Sequence, residues 1–286
     1  MKSQKIPSWL SAPLIFGTFG LLVWLERRRP LRRETEPKLV RNVRNLVVAG
    51  MGGAALQLIE TPLTSRLTAL VQQRRWGLLK VLRMPVWLET ALAVVLLDYT
   101  LYVWHVLTHK VPMLWRFHVV HHADLDLDAS TALRFHFGEL VFSAAWRAGQ
   151  IVVIGVSPMS LSIWQTLLVV SILFHHSNVR LPSEVERRLS RLIVTPRMHG
   201  IHHSIVRSET DSNWSSGLTL WDRLHSTLEV NELHGEVTIG VPEYREHNDV
   251  ELLKLLVMPL RVQEAPPSGS SPTVKEGSRG SVQPEA

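Results

Sequence analysis

The apolar residues of this chain are gathered into runs, and most charged residues stand between the runs. Residues 6–25 carry no charged side chain. A helix of about 20 apolar residues crosses a hydrocarbon layer of roughly 30 Å, so this run predicts a membrane span. Lys2 and Lys5 before it also suit a cleaved signal peptide. An A-x-A-like cleavage site is missing, however, and Arg27, Arg28, Arg29, Arg32 and Arg33 follow at once, so the run reads as a retained anchor. Basic residues stay on the cytoplasmic side, which puts the N-terminus outside and residues 26–45 in the cytoplasm.

The second run, residues 46–59, is shorter, with Gly50, Gly52 and Gly53 allowing close helix packing and Glu60 just beyond. Arg66, Arg74, Arg75, Lys80 and Arg83 follow, an awkward load for an external segment. Either the second run is re-entrant or the basic segment is an interfacial helix. A third run, residues 85–104, delivers the chain into His105 and ends on the cytoplasmic side if both earlier runs cross. Residues 140–174 are apolar apart from Arg147, with a turn signal at Gly155, Ser157 and Pro158. Each arm is short for a full crossing, so the pattern predicts a hairpin that enters and returns to one face, bringing His175 and His176 beside the earlier histidines.

The expected fold is therefore all-α, an integral-membrane helical bundle with a cytosolic histidine-rich metal-binding cap. Residues 1–85 form the N-terminal membrane anchor region, with spans near 6–25 and 46–63. Residues 86–230 form the main domain, and 231–262 a C-terminal cap segment. The Pro-, Gly- and Ser-rich tail, residues 263–286, is expected to be disordered.

Composition narrows the chemistry. There is no cysteine, which excludes thiolate ligands, iron–sulfur clusters and a cysteine nucleophile, so any metal is held by histidine and oxygen. The net charge of +6 does not point to nucleic acid, because the arginines cluster beside apolar runs and form no basic-aromatic surface.

The histidines carry the strongest signal. His118, His121 and His122 repeat the spacing of His199, His202 and His203, and His105 and His109 precede them as an i, i+4 pair. Positions four apart share a helix face with Cβ atoms about 5–6 Å apart, so His105 and His109 can serve one metal region. In His-x-x-His-His the adjacent pair diverges by about 100° around the helix and can reach two different ions. Burying so many imidazoles without a metal would leave many polar atoms without partners. One zinc needs three or four ligands, fewer than these eight, and imidazole suits iron, copper and zinc alike. His225, His234 and His247 have no partner at ligand spacing and read as solvated residues.

The motifs around the boxes carry a resemblance. Asp98-Tyr99 leads to His105 and His109; Leu114-Trp115-Arg116-Phe117 leads to His118; Thr131-Ala132-Leu133-Arg134-Phe135-His136 follows; then come His176-Ser177-Asn178 and Thr195-Pro196-Arg197-Met198-His199. Over residues 92–228 the chain resembles the sterol desaturase and fatty acid hydroxylase superfamily. The resemblance implies an integral-membrane, non-haem di-iron oxidoreductase that uses O2 and external electrons to hydroxylate or desaturate a lipid, with zinc able to replace iron on isolation. It also implies that the main domain is catalytic. The eight boxed histidines match ligand positions, and His176 matches a ninth, with His175 exchangeable for it. His136 is a possible additional ligand, or it positions the others or lines the substrate entrance. Asp98 and Asp222 are candidates to accept hydrogen bonds from ligand histidines, or equally a cap or an ion-pair partner, and Glu139 is similarly open. Gly200 departs from the pattern, standing where a basic residue often separates the histidines, and His225-Ser226-Thr227 stands where Phe-Gly-Thr is usual.

No His-Pro-Gly-Gly haem loop and no G-x-G-x-x-G occurs, so electrons are expected from a separate ferredoxin, cytochrome or reductase. Two rival readings are a membrane metal transporter, which expects ionisable residues inside the spans, and a zinc-dependent lipid hydrolase, which needs a metal-bound water. The lipid itself is not legible.

Overall fold

The computed structural model describes residues 5–230 and 237–261. Among them every regular element is helical, with three isolated antiparallel bridges as the only extended pairing. Helix α1 (Ser8–Arg28) is followed by α2 (Lys38–Ala55), which passes through a π-helical turn at Leu56–Glu60 into α3 (Thr61–Arg74). A short α4 (Leu78–Val81) precedes α5 (Val86–Lys110) and α6 (Pro112–His122), and α7 (Phe137–Ile154) and α8 (Pro158–His176) form the hairpin. Among the described residues five stretches are long and apolar enough to cross a membrane: α1, the stretch from α2 to α4, α5, α7 and α8.

The second stretch does not stop at residue 59. It continues helically to Arg74, and the basic residues expected to be awkward lie on this extension or in the turn after it. Lys80 there is paired with Glu89 and donates to Gln72. The hairpin arms have 18 and 19 residues, roughly 27–29 Å of helix, longer than the sequence pattern suggests and close to a hydrocarbon thickness. At the far end Gly77 and Gly155 touch: both have positive φ, and a Cβ on Gly77 would lie 2.3 Å from the Gly155 nitrogen. Ser157 caps α8 by accepting from the Ser160 N–H, and Pro158 takes the first helical position, where its missing N–H costs nothing.

Large apolar side chains stay exposed on the outer faces, among them Phe16, Leu58, Trp87 and Val153, each more than 70% exposed. In water such a surface is an aggregation liability; facing lipid it is the ordinary outside of the molecule. Inside the bundle α7 carries a buried Arg147, stacked 4.0 Å from the Trp164 ring and facing Glu60. Ionisable pairs therefore do lie within the spans.

Beyond α8 the chain forms a cap from short helices α9 (Ser183–Leu189), α10 (Pro196–His202), α11 (Arg207–Thr210), α12 (Leu220–Leu224) and α13 (Leu252–Val257). The C-terminal tail predicted to be disordered, and His234, lie outside the described residues.

Candidate metal centre

Four elements converge at one end of the bundle. α5 brings His105 and His109 on one face of its last turns. Pro112 forces Val111 into an extended conformation, so the chain corners and α6 starts in a new direction, carrying His118, His121 and His122. His176 is the last residue of α8. The Thr195 hydroxyl caps α10, with Pro196 at its first position, and this helix supplies His199 and His202 with His203 at its end.

The nine histidines fall into two groups: His105, His109, His118, His122 and His202 in one, and His121, His176, His199 and His203 in the other. Within each group the ligand-capable atoms all lie within 4.8 Å of one another, and every one of these residues is buried. Each His-x-x-His-His motif is split between the groups, as the divergence of adjacent helical positions requires.

Hydrogen bonds fix which nitrogen of several rings is free. His105 donates from Nδ1 to the Trp214 carbonyl at 2.7 Å, and His202 from Nδ1 to the Ser212 carbonyl at 2.8 Å. Their Nε2 atoms then carry lone pairs, and these face each other at 3.1 Å. His176 donates from Nδ1 to the Ile172 carbonyl, and its Nε2 lies 3.0 Å from Nε2 of both His121 and His199. His118 donates from Nδ1 to Glu139 at 2.9 Å, leaving its own Nε2 without a hydrogen-bond partner. Both ring nitrogens of His109 and of His122 are likewise without partners.

Facing lone pairs repel, and buried unpaired nitrogens are costly, so the arrangement calls for a cation. Metal–nitrogen bonds of about 2.0–2.1 Å place neighbouring ligand atoms roughly 3–3.4 Å apart, and the four closest Nε2 pairs lie 3.0–3.1 Å apart. Burial, the largest cause, and neighbouring imidazoles hold His121, His122, His199 and His203 well below the usual histidine range. His202 is pushed down to about 3. These five rings are thus neutral, the form that binds metal. The residues present fit a pair of histidine-bound ions.

Other candidates fall elsewhere. His136 caps α7, its Nδ1 accepting from the Gly138 N–H and its Nε2 facing the Leu256 carbonyl, and it joins neither group. His175 is fully buried against His199, with ring centroids 4.1 Å apart, but is also outside both groups. Neither Asp98 nor Asp222 accepts from a histidine. Asp98 accepts from Trp221 Nε1 and the Leu218 N–H, and Asp222 accepts from the Trp214 and Ser215 N–H groups and from Thr227. Asp222 acts at one remove, because the Trp214 peptide it holds presents the carbonyl that orients His105. His225 lies exposed, stacked on Tyr99 and Tyr102, and the half-exposed ring of His247 meets Glu36.

Asn213 falls within the stretch that carries the resemblance, but its role, like that of a second feature, is visible only in the fold. Asn213 adopts a left-handed conformation, φ 50°, between Ser212 and Trp214, so that both neighbouring carbonyls reach ligand histidines of one group. Its side chain bonds Met198 and Glu229 to hold that turn. Its tolerance of the left-handed region was the available signal. The second feature is a charge network beneath the second histidine box: Arg41, Arg44 and Arg134 surround Asp124, and Arg41 also reaches Asp126 and Asp128. The spacing Asp124, Asp126, Asp128 was visible, but its partners are on a distant helix.

The fatty acid hydroxylase family model matches residues 90–227, a segment that contains all nine grouped histidines. An ornithine lipid hydroxylase of Rhizobium tropici is 30% identical over 158 residues, covering 55% of this chain and 46% of that protein. Alkylglycerol monooxygenase of Homo sapiens is 30% identical over 136 residues, 46% of this chain and 28% of that protein. Cholesterol 25-hydroxylase of Mus musculus is 27% identical over 139 residues, 48% of this chain and 45% of that protein. In each case the match spans less than two thirds of the relative's own length. No solved structure matches the chain. The family match over residues 90–227 and these relatives, with the histidine boxes in this order, support the sterol desaturase and fatty acid hydroxylase superfamily for this chain.

Proposed function

We propose that the protein is a membrane-embedded non-haem di-iron oxygenase that hydroxylates, or alternatively desaturates, a lipid C–H bond. The observation that carries this reading is the division of nine buried histidines into two adjacent groups whose ligand-capable atoms lie close together. Such a set exceeds what a single zinc needs. The relatives' names add a lipid substrate and monooxygenation to that chemistry.

The five-histidine group would hold one iron and the four-histidine group the other. Bound iron supplies what side chains cannot, the reduction of O2 and the removal of hydrogen from an unactivated carbon. Overall, one oxygen atom enters the C–H bond and the other leaves as water, with two electrons drawn from a separate donor such as a ferredoxin, cytochrome or reductase and two protons from solvent. The chain's own part is orientation. Trp214, Ser212 and Ile172 carbonyls and the Glu139 carboxylate hold ligand rings with Nε2 inward, and the buried cap excludes bulk water. The excess of arginine after α1 supports a cytoplasmic position for this end of the bundle, with the lipid entering sideways between spanning helices.

Metal analysis of the purified protein together with lipid mass spectrometry tests the reading. About two irons per chain and an O2-dependent gain of one oxygen, or loss of two hydrogens, are expected. Zinc alone with full lipid conversion in the absence of O2 would refute it.

A further inference from the structure

Gly200, the departure within the third histidine box, has a structural partner 168 positions away in the sequence. A Cβ at Gly200 would lie 2.2 Å from Nη2 of Arg32, so the guanidinium occupies the space that any side chain at 200 would enter. That same Nη2 donates to the Pro196 carbonyl at 2.5 Å, in the first turn of α10. Arg32 is also tied to the segment after His176: its N–H donates to Asn178 Oδ1 at 2.8 Å, and its carbonyl accepts from Asn178 Nδ2 at 3.0 Å. The N-terminal segment lies alongside, with the Leu31 N–H donating to the Asn178 carbonyl and the Arg180 N–H to the Arg29 carbonyl. One residue therefore links the two elements that deliver His176, His199 and His203, three members of the four-histidine group. No element of the five-histidine group is held this way except α10, which the two groups share.

The charge is as notable as the bonds. Burial and nearby Arg197 pull the guanidinium down to about 10, which leaves it protonated at neutral pH. Its Nη1 is buried without a hydrogen-bond partner, so the positive charge is not neutralised by a directly bonded carboxylate. A side chain needed only as a strap would not have to be a cation.

We propose that Arg32 is the basic residue of the third histidine box, delivered from the N-terminal segment: a positioning residue that aligns the His176 and His199–His203 arms and sets one fixed positive charge beside the four-histidine group. Gly200 is glycine because the guanidinium needs its space. The inference rests on the two-metal reading above, and its test separates the two.

The experiment uses the full chain in detergent, loaded with cobalt(II), with metal release to a chelator followed by visible absorption. Wild type should hold two ions. Arg32→Gln, and Gly200→Ala through its methyl group, should each weaken one ion by roughly 10–100-fold while the other is retained, the range typical of residues that orient ligands. The double variant Arg32→Gly with Gly200→Arg, which returns the basic residue to the box itself, should release metal more slowly than either Arg32→Gly or Gly200→Arg alone. Azide should bind the Arg32→Gln protein about tenfold more weakly than the Arg32→Lys protein, because only the latter keeps the charge. Wild-type release kinetics in both Arg32→Gln and Gly200→Ala would overturn the proposal. So would parallel loss of both ions with no recovery in the double variant. A wild-type protein that binds no cobalt or iron would instead remove the two-metal reading.

Discussion

Two buried polar regions lie side by side at this end of the molecule, and they are built on opposite principles. In the charge network under α6, Asp124 is completely buried yet meets Arg41 at 2.9 Å, Arg134 at 3.0 Å and Arg44 at 3.6 Å, and it also accepts from Asn45 and Thr131. In the histidine groups a few residues away, nitrogens face nitrogens, and both nitrogens of His109 and His122 have no partner. Burial is equal in the two. What separates scaffold from site is whether the groups that face each other are opposite in charge or alike. The first region balances acid against base within the protein, although Arg41 Nε, Arg44 Nε, Arg134 Nη2 and Asp124 Oδ1 make no hydrogen bond, and the second sets lone pair against lone pair.

The contrast can be broken from either side. The largest effect is expected at the site itself: His202→Ala removes a ring of the five-histidine group and the acceptor-oriented face opposite His105, so the metal there and lipid turnover should both be lost. Metal content and product mass check this; full activity would contradict it.

Asp124→Ala should come next, acting on stability instead of chemistry. Removing one partner of a buried ion network costs about 3–5 kcal/mol, because the arginines are left uncompensated. Thermal unfolding in detergent reads it. The same carboxylate gives a pH signature. Three arginines outweigh the opposing effect of burial and hold Asp124 down at about 2, below an unfolded value near 3.9. Its stabilisation is therefore fully present above about pH 4 and lost as pH falls through about 2. The Asp124→Asn protein should lack that acid limb.

Glu139→Gln tests the boundary between the regions, since Glu139 is a buried carboxylate that orients a ligand ring. Metal affinity at the five-histidine group should fall by roughly 10–100-fold with helix content unchanged on circular dichroism. His136→Ala should do least. It removes a helix cap worth about 1 kcal/mol and should leave both metals in place, which metal analysis would show. Loss of one ion would mean that His136 belongs to the site after all.

The helices, the turn at Gly155 and the spacing of the histidines were legible because each is local: an apolar run, a glycine needed at positive φ, an i, i+4 pair on one face. The continuation of α2 into α3 was not, because the Arg- and Lys-bearing stretch looks unsuited to a span until Lys80 finds Glu89 and Gln72 across the turn. The groups that orient the ligand rings escaped for a second reason. Three of the four are backbone carbonyls, which every residue owns and no sequence distinguishes. Asp98 and Asp222 drew attention as carboxylates near the boxes, yet their acceptors are spent on Trp221, Leu218, Trp214, Ser215 and Thr227.

The sequence by itself determined the membrane bundle, the histidine inventory and the exclusion of thiolate chemistry, because these follow from residue type and periodicity. Only the tertiary structure decided how nine histidines divide five and four, which nitrogens turn inward, and that Arg32 fills the space above Gly200. Those depend on which distant segments meet, and the long-range packing of α5, α6, α8 and α10 sets that meeting.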